Sequence, residues 1–100
     1  MYMEEIDLLY RARKSGHAAY FYPKSLIVHL GSGSSTVGRK GPVLNIYRGY
    51  MYLYKKHASV FGQRCMRVML KVKAILGWTI GIVSGNTYLK DTYAEAYRLV

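Results

Sequence analysis

From Glu4 to Ser15, apolar residues recur at helical spacing: Ile6, Leu9 and Tyr10. Acids occupy the first turn, while Arg11, Arg13 and Lys14 stand near the end, where they complement the helix dipole. Gly16 follows as a C-terminal cap. The period then changes. Ala18 to Tyr22 and Ser25 to Leu30 are short runs of aromatic and branched residues separated by Pro23, which cannot donate to a ladder, and they predict two strands. The next stretch, GSGSSTVGRKG from Gly31 to Gly41, predicts a loop. Pro42 suits the first turn of a helix over 43–57, whose Leu44, Tyr47, Met51 and Tyr54 are three and four residues apart. A further helix is predicted over 60–76, with Arg64, Arg67, Lys71 and Lys73 interleaved among Met66, Val68, Met69, Leu70 and Val72. Gly85 and Asn86 favour a turn, and a short helix from Asp91 to Leu99 closes the sequence.

The uncharged run Ala74 to Val83 is half of the roughly 20 residues a membrane span needs. Composition adds a bias in charge. Fifteen Lys and Arg against five acids give a net charge of +10, which points to nucleic acid, anionic lipid or phosphorylated small molecules as partners. With 51% apolar and 20% charged residues among 100, intrinsic disorder is excluded and one small domain is the upper bound. The single cysteine, Cys65, allows no internal disulfide, suits a reducing compartment and is expected to make a small apolar contact. Glu4, Glu5 and Asp7 sit where a secretory signal would need an apolar stretch, so no signal is expected.

Those three carboxylates are the one acidic constellation in the sequence. Adjacent acids raise one another's pKa or share a metal, or else simply favour a helix N-terminus. His29 ends the apolar run Leu26-Ile27-Val28 just before the glycine-rich stretch, a place where a side chain emerges at the edge of a sheet. In combination these features resemble a known pattern. Met1-Tyr2-Met3-Glu4-Glu5-Ile6-Asp7-Leu8, then Tyr10-Arg11, Arg13-Lys14, Gly16, Tyr20 to Pro23, Ile27-Val28-His29, Gly31 and Ser34-Ser35 resemble the C-terminal half of family 2 glycosyltransferases, rhamnosyltransferase-like members above all. The likeness continues through Asn45, Arg48 and Lys55-Lys56-His57 and covers about residues 1–57.

The resemblance implies an α/β fold: the C-terminal part of a nucleotide-diphospho-sugar transferase, helix, two strands and helix over 1–58, followed by a basic amphipathic helical tail over 59–100. It implies an inverting transfer from a nucleotide-diphospho-sugar to a saccharide or lipid-linked acceptor. Glu5 is then the general base, with Glu4 the alternative and Asp7 a supporting carboxylate, and His29 helps hold a divalent cation, Mn²⁺ or Mg²⁺, on the donor diphosphate. Arg48 is the candidate for a phosphate or the acceptor. The family's donor-binding half and its Asp-x-Asp motif have no counterpart here, so the chain is expected to be a fragment inactive by itself, with most of the cation's ligands on the absent half. Trp78 and the basic residues of 60–83 suit a helix lying on the anionic inner face of a cell membrane, where such enzymes build envelope polysaccharides. The alternative is a small nucleic-acid-binding module using Tyr47, Tyr50, Tyr52 and Tyr54 beside Arg48, Lys55 and Lys56. The early acids make nucleic acid the less favoured partner, since they would repel phosphate.

Overall fold

The computed structural model describes residues 3–28 and 40–100. Its elements are four helices: α1 (Glu4–Lys14), α2 (Lys40–His57), α3 (Val60–Val83) and α4 (Thr87–Leu99). Among the described residues there is no strand, and the α/β expectation is overturned. Residues 17–22 and 25–28 run without regular structure, and Tyr20, Phe21, Leu26, Ile27 and Val28 are all strongly exposed. Strand propensity is mostly the preference of a side chain for a pleated, half-covered surface, and here neither a neighbouring strand nor a covering layer meets these residues. A turn does separate the two runs: Ser25 Oγ donates to the Tyr22 carbonyl at 3.1 Å across Pro23 and Lys24.

α1 ends as its sequence dictates. Gly16 takes φ 84°, His17 N–H donates to Ala12 O at 2.9 Å and Gly16 N–H to Arg13 O at 3.1 Å. This pair of bonds is the Schellman arrangement, which only a residue tolerant of left-handed backbone closes without strain. α2 starts at Lys40, two residues before Pro42, so the proline still lies in the first turn.

The third helix runs seven residues past the predicted end at Leu76. Ser59 caps its start by accepting from Gly62 N–H at 3.3 Å, and Gly85 at φ 67° ends the following turn. α4 begins at Thr87, four residues before the predicted start, because Asn86 is an N-cap whose Oδ1 accepts from Leu89 N–H at 3.1 Å. The α3 glycines do not break the helix; they let α4 approach. A Cβ on Gly77 would stand 2.5 Å from the Tyr93 ring, and one on Gly81 would run into the Lys90 backbone. With Lys71 against Tyr97, Gly77 against Tyr93 and Gly81 against Lys90, the two helices form an antiparallel hairpin.

α2 lies across this hairpin. The core is Leu44 and Tyr47 from α2, Met66, Leu70 and Ala74 from α3, and Ala96 from α4. Tyr47 is 1% exposed, burial pushes its phenol up to about 12, and its hydroxyl has no hydrogen-bond partner. α1 has no buried residue and is held by the contacts described next. Cys65, expected to make an apolar contact, is exposed. No helix among the described residues is long and apolar enough to cross a membrane.

Candidate functional site

Asp7 ties α1 to the end of α2. Lys56 Nζ donates to both carboxylate oxygens at 3.0 and 2.8 Å, His57 Nε2 stands 2.5 Å from Oδ1, and Arg11 Nε donates to Oδ2 at 3.0 Å. The His57 hydrogen bond first, then that of Lys56, hold the Asp7 carboxyl well below the usual carboxylate range. Tyr10 reinforces the joint, its ring 4.4 Å from that of His57 and capped by Lys14 Nζ at 4.9 Å. Helical spacing explains the layout: Asp7, Tyr10, Arg11 and Lys14 are three and four residues apart on one side of α1.

Beside this joint, α1 and α2 enclose an open cleft of about 580 Å³, lined by Glu4, Asp7 and Arg11 from α1 and by Asn45, Arg48 and Tyr52 from α2. Arg48 Nη1 donates to Asn45 Oδ1 at 3.2 Å, one helical turn apart. Met3 packs where a Cβ on Gly49 would be, so the glycine lets the start of α1 sit close on α2. Hydrogen bonds, from its own backbone N–H first and from Met3 N–H at 2.9 Å among others, hold the Glu4 carboxyl down to about 2.

The expected site residues therefore separate. Glu4, Asp7 and Arg48 line one cleft although Arg48 is 41 positions beyond Asp7 in the sequence. Glu5, expected to be the base, is exposed and does not line it. His29 lies outside the described residues. The oxygens of Asp7 already face three cationic or hydrogen-bonding side chains, an arrangement that does not suit a metal ligand, and among the described residues no group of three or more His, Cys, Asp and Glu could hold a metal ion.

Sequence reasoning missed Lys56 and His57 as partners of Asp7, a contact across 49 and 50 residues. It had only the Asp7–Arg11 spacing of four as a local signal. Of the four clustered tyrosines, only Tyr52 is exposed, so α2 presents no stacking platform for bases. No family model matches this sequence, and neither a curated protein nor a solved structure does. The resemblance to family 2 glycosyltransferases rests on the residues quoted for it.

Proposed function

We propose that this chain supplies the acceptor side of a glycosyl transfer, with a nucleotide-diphospho-sugar as donor and a saccharide or lipid-linked acceptor. The observation that carries the reading is the convergence of Glu4 and Asp7 with Asn45 and Arg48 in one cleft. In such a transfer the acceptor hydroxyl oxygen forms the new bond to the anomeric carbon. The bond to the diphosphate breaks with its electron pair, and the hydroxyl proton passes to a carboxylate. Asp7, neutralised by Lys56 and Arg11 and hydrogen-bonded to His57, is poorly suited to take that proton and instead fixes α1 on α2. Glu4 is the remaining carboxylate of the cleft, and the hydrogen bonds that hold it at about 2 have to open for it to take the proton. Arg48 and Asn45 are placed to hold acceptor oxygens or a phosphate.

The chain has no Asp-x-Asp pair, so the test joins it in one polypeptide to a nucleotide-sugar-binding half that carries one. Glu4→Gln should then lower kcat by roughly 10²-fold, and Glu5→Gln should change it little. Loss of kcat with Glu5→Gln alone would remove the cleft from the chemistry.

Peripheral attachment to an anionic membrane surface is part of the same proposal. Phe61, Cys65, Val68, Met69, Val72 and Leu76, spaced by three and four, make the outer face of α3 apolar and exposed along most of its length. Arg64, Arg67 and Lys71 flank that stripe on one side and Lys73 on the other, an arrangement that suits a helix lying in the headgroup layer.

A further inference from the structure

A second cleft lies between α3 and α4, away from every residue considered so far as catalytic. It measures about 530 Å³ and is lined by Ala74, Ile75 and Trp78 of α3 and by Tyr93, Ala94, Tyr97 and Arg98 of α4. Its size falls in the range of small-molecule sites, and its lining is aromatic and aliphatic except at one end. The antiparallel register sets that polarity. Lys71 Nζ stands 5.3 Å from the centre of the Tyr97 ring, so Lys71 and Arg98 mark the same end of the hairpin groove, and Trp78 and Tyr93 lie toward the other. Arg98 and Lys71 meet no carboxylate among the described residues.

The chain itself has little to offer them. Its acids are Glu4, Glu5, Asp7, Asp91 and Glu95. Asp7 is held by Lys56, and Glu95 by Lys40 at 2.9 Å. Asp91 belongs to α4 itself, and residues 29–39 contain no acid. A second copy would be a partner of net charge +10, the same sign as this end. An occupant that suits both ends therefore carries its own negative charge at one end and an apolar chain at the other.

We propose that the α3/α4 cleft binds a single phosphate-headed amphiphile, with the phosphate at the Lys71–Arg98 end and the chain along Ile75, Tyr93 and Trp78. The site is separate from the Glu4–Arg48 cleft and stands whether or not the chain takes part in sugar transfer. It also differs from the outer face of α3, which would meet a bilayer as a surface and not as one molecule. Trp78 is the only tryptophan and is 41% exposed, so its own fluorescence reports filling of the cleft.

The full chain is titrated with octyl phosphate below its micellar concentration, with octanol and with inorganic phosphate. Octyl phosphate should give a saturable blue shift, octanol at least about tenfold weaker binding, and inorganic phosphate no shift. Arg98→Gln, at an exposed position, should weaken octyl phosphate binding about tenfold, and Ala94→Phe, which fills the cleft, should abolish the saturable phase. Melting curves of each variant establish that it folds, and Arg98→Gln carries the test if Ala94→Phe does not. Binding that persists in the outer-face variant Val72→Glu supports a site distinct from the membrane-facing surface, whereas its loss there would overturn the proposal. Equal binding of octanol and octyl phosphate, no saturable shift, or unchanged binding in folded Ala94→Phe or in Arg98→Gln would also overturn it.

Discussion

Replacing Gly81 with alanine sets two effects of known sign against each other. Alanine inside a helix is favoured over glycine by roughly 0.5–1 kcal/mol, because glycine loses more backbone freedom on folding. Yet a Cβ at Gly81 would lie 2.9 Å from Lys90 Cα and 3.1 Å from the Leu89 carbonyl carbon, and nearer still to the Lys90 backbone nitrogen. Carbon atoms at rest sit about 3.5–4.0 Å apart, so the first turn of α4 must retreat by roughly an ångström, and backbone cannot move aside as a flexible side chain can. Overpacking of this kind costs about 1–3 kcal/mol, which exceeds the propensity gain. The expected net loss is about 1–2 kcal/mol, or a fall in Tm of roughly 4–16 °C for a domain of this size, read by circular dichroism at 222 nm. Gly62→Ala in the same helix is the control. Its Cβ would stand 3.3 Å from Ala58 Cβ and 3.6 Å from Ser59 Oγ, a crowding of a few tenths of an ångström that offsets the propensity gain, so that variant should change Tm little. A Gly81→Ala protein as stable as Gly62→Ala would refute the close approach of α3 and α4, and with it the shape of the cleft beside Trp78.

The joint at Asp7 makes a pH prediction. Its carboxyl is depressed in the folded chain, so the contribution of the joint is complete above the ordinary value of 3.8 and is lost as pH falls below it toward the lower folded value. The part of the α1 amide shifts that follows the Asp7 carboxyl should therefore change only below about pH 4, and Asp7→Asn should already show the detached shifts at pH 7. Tyr47→Phe removes a buried hydroxyl without a partner, and should leave Tm unchanged or raise it by the equivalent of up to about 1 kcal/mol; a clear loss would mean that the hydroxyl is bonded. For the membrane surface, a polarity-sensitive dye on exposed Cys65 should shift to the blue with anionic vesicles at low salt and far less with neutral ones. Arg64→Glu with Arg67→Glu should weaken that binding at least about tenfold, and tighter binding to RNA than to vesicles at equal ionic strength would turn the reading toward nucleic acid.

What could be read from the sequence was local. The Schellman end of α1, the turn at Pro23 and the existence of four helices follow from signals a few residues long. The same signals failed where a local preference needed a distant partner. Tyr20 to Tyr22 and Leu26 to Val28 have strand composition, but composition does not provide a neighbouring strand, and in the described structure they stay exposed. The site divides in the same way. Glu4, Asp7 and Arg11 share a side of α1 by spacing alone, whereas the return of Lys56 and His57 to Asp7 depends on how α2 is aimed, which no window of sequence contains.

The third helix shows how the missing information is carried. Periodicity makes it apolar on two sides: Met66, Leu70 and Ala74 on one, and Phe61, Val68, Val72 and Leu76 on the other. Hydrophobicity gives no reason for α4 to choose between them, since the outer side offers larger side chains and hence more area to bury. The choice falls to the side where Ala74, Gly77 and Gly81 continue the row, because only there do side chains give way enough for the helices to meet nearly backbone to backbone. Close approach brings many more atoms of both helices into contact than a ridge of large side chains permits. The glycines that look like breaks in a propensity profile thus select the covered face. The larger, more hydrophobic residues are left outside with the arginines beside them, and on that exposed combination the proposed attachment of α3 to an anionic surface rests.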